Sequence, residues 1–96
     1  MLTHVVLIKF KPGTPHAEIE RLLDGLRTLP GEIPEIRGYE LGEDVVHAGR
    51  SFDAGLIARF DDLEGLKRYQ AHPKHVPLGG GLQAIAEQMI AVDWVD

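Results

Sequence analysis

The spacing of apolar residues along this chain switches between two periods, and each switch predicts a new element. From Thr3 to Lys11 both alternating faces are apolar, with Val5 and Leu7 on one and Val6, Ile8 and Phe10 on the other, which predicts a β-strand covered on both sides. Lys11-Pro12-Gly13 interrupts it. Thr14 and Pro15 then offer a hydroxyl N-cap and a proline at the first helical position. Ile19, Leu22, Leu23 and Leu26 follow at helical spacing until Leu29-Pro30-Gly31 ends the helix. Between Pro34 and Val46, the apolar Ile36, Tyr39, Leu41 and Val45 mix with Gly38, Gly42 and several charges, the pattern of an irregular, edge-like strand.

Gly49-Arg50-Ser51 reads as a turn, and Phe52 to Phe60 as a third strand with Phe52, Ala54, Leu56, Ala58 and Phe60 on one face. Asp61 and Asp62 are capping residues for the next helix, in which Leu63, Leu66 and Tyr69 fall about a turn apart. Pro73 stops that helix, because the residue before a proline is pushed out of the α region. Gly79-Gly80-Gly81 predicts a hinge-like junction. Beyond it, Leu82, Ile85, Ala86 and Met89 mark a short third helix or the second half of a broken one, and Ile90 to Val95 returns as a strand.

Strand, helix, strand, strand, helix, strand is the order of an α+β, ferredoxin-like βαββαβ sheet with its helices on one face. No linker, low-complexity tract or tandem repeat divides it, so residues 1–96 are expected to form a single domain. Helices on one side leave the other side of the sheet bare, yet the first and third strands carry apolar residues there too. A second copy related by a two-fold axis covers such a patch with the same patch, so a homodimer with facing sheets is expected.

Composition narrows the partners. The net charge is -5 with acidic and basic residues interspersed, which gives no electrostatic footprint for nucleic acid or an anionic membrane. The apolar run at the N-terminus lacks a preceding basic region and is too short for a secretion signal or a membrane span. With no cysteine there is no disulfide, thiolate nucleophile or cysteine-type zinc site, and a cytoplasmic location is the simplest fit.

Candidate chemistry gathers in Tyr69-Gln-Ala-His72-Pro-Lys-His75, a phenol and two imidazoles around one proline. Histidine titrates near neutrality and tyrosine can donate to an oxygen that gains charge, so the set suits acid/base work on a carbonyl or phenolic molecule. Tyr69 and His72 share a helical face, and a bend at Pro73 can fold His75 back toward it. His4 shares a strand face with Val6, Ile8 and Phe10. His75, Tyr69 and His4 are the candidate catalytic residues, with His72 and Phe10 as candidate substrate contacts. The competing reading makes Tyr69 core packing, His72 and His75 capping residues and His4 a buried structural group. Neither a metal nor a cofactor is expected, since His72-x-x-His75 lacks a completing ligand set and no Gly-Lys-Ser/Thr follows the glycine triplet.

These residues resemble the stress-responsive A/B barrel domain family. The likeness is carried by His4-Val-Val-Leu-Ile-Lys-Phe-Lys11, Leu41-Gly-Glu-Asp44, Leu56-Ile-Ala-Arg-Phe-Asp-Asp-Leu63 and, most specifically, Tyr69-Gln-Ala-His-Pro-Lys-His-Val76. The resemblance runs end to end and implies a dimeric α+β barrel. The family holds plant stress proteins that form stable oligomers as well as polyketide cyclases. By resemblance to the cyclases, His75 takes the role of base and Tyr69 that of hydrogen-bond partner to a substrate oxygen, with a matching histidine at His4. The function expected is thus small-molecule binding with cyclisation, lyase or isomerase chemistry. The alternatives are a non-catalytic oligomeric stress-response protein or a monooxygenase-like dimeric barrel.

Overall fold

Strand β1 (Leu2–Phe10) runs through the middle of the sheet, paired with β3 (Ala54–Phe60) on one side and β4 (Ala86–Val95) on the other. In this computed structural model of residues 1–96, β2 (Gly38–Glu43) pairs with β3 to complete an antiparallel sheet of order β2-β3-β1-β4. The central place of β1 accounts for much of its apolar sequence, because it has a neighbouring strand on each side and the helices pack on one of its faces. The fold is the expected ferredoxin-like α+β sheet.

Helix α1 (His16–Arg27) buries Ile19, Leu22, Leu23 and Leu26 against the sheet, each contributing about 2 kcal/mol of burial free energy. Its start differs from expectation. Pro15 is the N-cap and no side chain caps the helix; the Thr14 hydroxyl instead donates to the Lys11 carbonyl at 2.6 Å and closes the preceding turn. Helix α2 (Leu63–Ala71) starts as the sequence indicated, with the Asp62 carboxylate accepting from the Gly65 amide at 2.8 Å. His72 is its C-cap, already in extended geometry before Pro73.

The glycine triplet is not a junction. It lies within helix α3 (Val76–Ile85), and β4 begins directly afterwards at Ala86, so Met89 belongs to the strand. Two of these glycines are set by close approach. A Cβ on Gly81 would stand 2.7 Å from the Leu22 side chain of α1, and one on Gly79 would stand 3.1 Å from the His75 ring. The triplet therefore lets α3 lie close to α1 and lets an imidazole rest on its surface, at the helix-propensity cost that glycine carries.

The core lies between helices and sheet, with Leu2, Ile8, Ala54, Ala58 and Phe60 from the strands meeting Leu22, Leu26 and Leu66. On the opposite face the register aligns Val5 with Val92 and Ile57, and Leu7 with Ile90. There Leu7, Ile90, Val92 and Trp94 are 38%, 43%, 54% and 46% exposed in the single chain. No helix is long and apolar enough to cross a membrane.

Candidate active site

Chain reversal at Pro73 brings the candidate groups together. The His75 amide donates to the His72 carbonyl at 2.9 Å, and the turn this closes leads directly into α3. As a result the His75 ring stacks at a tilt on the Tyr69 ring, with centroids 4.4 Å apart. Phe60 supports the other flank of Tyr69 at 5.0 Å. Tyr69 itself is 1% exposed, while His75 is half-buried.

Both residues line a cavity of about 270 Å³ between the sheet and helices α2 and α3. His4 lines it too, from β1, among apolar walls that include Val6, Ile8, Leu56 and Leu82. Gln70 and Gln83 are the remaining polar lining groups, and no lysine, arginine, aspartate or glutamate contributes. A volume of that size matches about nine waters' share of liquid, so it suits a compact organic molecule. Of the five residues singled out in the sequence, three meet here. Phe10 lies instead in the core near the opposite end of β1, and His72 turns its Nδ1 outward to accept from the Lys74 amide at 3.0 Å. Both lie outside the walls of the cavity, because the sheet carries Phe10 beyond its rim and the capping bond holds the His72 ring.

Electrostatics differentiates the groups. The Nδ1 atom of His75 is buried with no hydrogen-bond partner. Burial pushes the His75 pKa below its ordinary value; the Gln70 backbone opposes that shift without bonding to Nδ1, and the nearby His4 and His72 add to it. Burial thus favours the neutral imidazole. His4 differs, since its Nδ1 is hydrogen-bonded to the Asp93 carboxylate from the opposing position on β4. With Asp93 ionised, that bond holds the proton on Nδ1 and leaves Nε2 as the acceptor.

Tyr39 and Asp93 are the two site residues that sequence reasoning missed. Tyr39 reaches from β2 to place its hydroxyl 2.8 Å from that of Tyr69, and either can donate. Asp93 had a faint signal, the one acid in the otherwise apolar run Ile90–Val95. Burial raises the pKa of both phenols, and the Tyr39 hydrogen bond partly offsets the rise at Tyr69. These are the only two tyrosines in the chain. Alkaline titration followed by phenolate absorbance is therefore expected to show no step at the ordinary value of 10.0 while the protein stays folded. The unfolded chain loses these protons first, so the tyrosines contribute stability below that pH and lose it as pH rises through and above it. A normal two-proton step in folded protein would contradict the buried pair.

No group of three or more His, Cys, Asp or Glu side chains stands close enough to hold a metal ion. The arrangement is that of a ferredoxin-like α+β protein with a mostly apolar cavity under its helices that two histidines and a tyrosine line. The chain belongs to the stress responsive A/B barrel domain family, whose profile matches residues 2–96. A stress-response A/B barrel domain-containing protein of Arabidopsis thaliana is 26% identical over 94 residues, 95% of this chain and 82% of that one. Olivetolic acid cyclase of Cannabis sativa is 25% identical over 93 residues, 95% of this chain and 92% of that one. A dimeric ferredoxin-like protein of unknown function from Thermobifida fusca has a crystal structure similar to this one, with a TM-score of 0.89 at 25% identity, covering 99% of this chain and 90% of that chain.

Proposed function

We propose that this protein is a homodimeric small-molecule enzyme in which His75 removes a proton next to a carbonyl, or from a phenol, while Tyr69 donates to the oxygen that gains charge. The observation that carries this reading is the meeting of His75, Tyr69 and His4 on one apolar cavity, with a buried His75 nitrogen that no protein group satisfies. In the carbonyl case the C–H bond breaks, an N–H bond forms on His75, and the electron pair moves to the oxygen as an enolate. That oxygen then accepts the Tyr69 hydroxyl proton in a hydrogen bond. His4, oriented by Asp93, is the second proton-exchanging group. An aldol cyclisation, a lyase step and an isomerisation all begin this way, and the similarity to a protein that is a cyclase supports the first.

The exposed apolar face of the sheet favours a second copy as its cover, and similar structures are described as dimeric. A non-catalytic oligomer, the reading that this face and the stress-response relative favour, would bind through that surface and leave the cavity idle. Phenylacetone in heavy water separates the two. The protein is expected to speed the loss of the benzylic proton signal well beyond the buffer rate. Exchange at the buffer rate with bound phenylacetone would remove the catalytic reading.

A further inference from the structure

Tyr39 is tied to the cavity without entering it. Its hydroxyl meets that of Tyr69 at 2.8 Å and the rings stand edge to face with centroids 6.1 Å apart, yet Tyr39 is not among the lining residues. The hydroxyl of half-buried Tyr39 satisfies that of buried Tyr69, which a phenylalanine of the same shape would leave without this partner. What the hydroxyl changes is the direction of hydrogen bonding. A phenol carries one proton and accepts through its oxygen, so when Tyr39 donates to Tyr69 the Tyr69 proton is left over for whatever occupies the cavity. Hydrogen bonds in such a chain polarise each other, which makes that remaining proton a better donor.

We propose that Tyr39 is a positioning residue acting through Tyr69, and that the two hydroxyls form one donor unit for an ionised ligand oxygen, a phenolate or an enolate. The inference rests on the acid/base reading above and adds to it the ligand group that the site selects. For a phenol, the O–H bond breaks, the proton forms an N–H bond on His75, and the electron pair stays on the oxygen. That oxygen accepts from Tyr69, whose own oxygen accepts from Tyr39. With no lysine or arginine lining the cavity, the new charge is met by the hydroxyl pair and the protonated His75. A phenol is protonated at neutral pH and burial raises both pKa values further, while the Tyr39 bond is the influence that eases Tyr69 back toward donating.

The test uses 4-nitrophenol, which absorbs differently as phenol and phenolate, with 4-nitroanisole as the same skeleton lacking the proton. The wild-type protein is expected to bind 4-nitrophenol more tightly than 4-nitroanisole and to show the phenolate band. Tyr39→Phe is expected to weaken 4-nitrophenol binding by about fivefold and lower the phenolate fraction, with 4-nitroanisole binding unchanged. If Tyr39→Phe behaves as wild type while Tyr69→Phe loses the preference, the donor-unit proposal is overturned and the Tyr69 role survives. Equal binding of both probes by the wild type overturns the proposal, and binding of neither overturns the acid/base reading as well. Loss of 4-nitroanisole binding in Tyr39→Phe would reveal a disturbed cavity. Protein containing 3-fluorotyrosine at both positions then decides: its more acidic hydroxyls are expected to favour the phenolate further, and an unchanged phenolate fraction overturns the proposal.

Discussion

Replacing His75 by alanine is expected to lower the exchange of phenylacetone by about 10²- to 10⁴-fold, the usual contribution of a positioned general base. The fold should survive this change, since the His75 ring caps nothing through its side chain and its Nδ1 bonds to no protein group. Tyr69→Phe should lose less activity, because the base remains and only the stabilised oxygen suffers. The pH profile gives a second check. Since burial lowers the His75 pKa, the active neutral form is expected to persist below the ordinary histidine value of 6.5. Stability follows the same sign: below 6.5 the unfolded chain takes up a proton that folded His75 resists, so this contribution is present above that pH and is lost as pH falls through it. An acid limb of activity at or above pH 6.5, or full activity in His75→Ala, would show that another group is the base.

Val92→Asp is expected to convert the proposed dimer to a monomer while leaving the single-chain fold intact. Val92 is 54% exposed in the isolated chain, so a carboxylate there stays hydrated until the second copy arrives. In a two-fold interface the substitution occurs twice, once in each copy. An uncompensated buried charge costs about 3 kcal/mol or more, so the pair weakens association by about 6 kcal/mol, or about 10⁴-fold in Kd. Size-exclusion chromatography with light scattering at micromolar concentration reads the outcome directly. A wild-type monomer, or a Val92→Asp dimer, would show that the sheet face has a different cover.

The strands and first helices were legible because burial imposes a period on sequence. Alternation in β1 and β3 and the spacing of Ile19, Leu22, Leu23 and Leu26 survive without any knowledge of neighbours. Glycine misled at 79–81, where low propensity predicted a break. The contacts of Gly81 with Leu22 and of Gly79 with His75 supply the reason for a helix there. Thr14 misled in a related way, since its hydroxyl has two nearby uses and the turn to Lys11 won over the cap.

By itself the sequence determined the order of elements, the apolar second face of the sheet and the closeness of Tyr69 to His75, all of which depend on local spacing and one proline. Only tertiary structure decided that His4 joins them, that Phe10 and His72 do not, and that Asp93 and Tyr39 stand behind His4 and Tyr69. The physical reason is register and packing. Pairing of β1 with β4 sets His4 against Asp93 across 89 residues, and the packing of α2 on the sheet sets Tyr69 against Tyr39 of β2 across 30; no local pattern encodes either alignment.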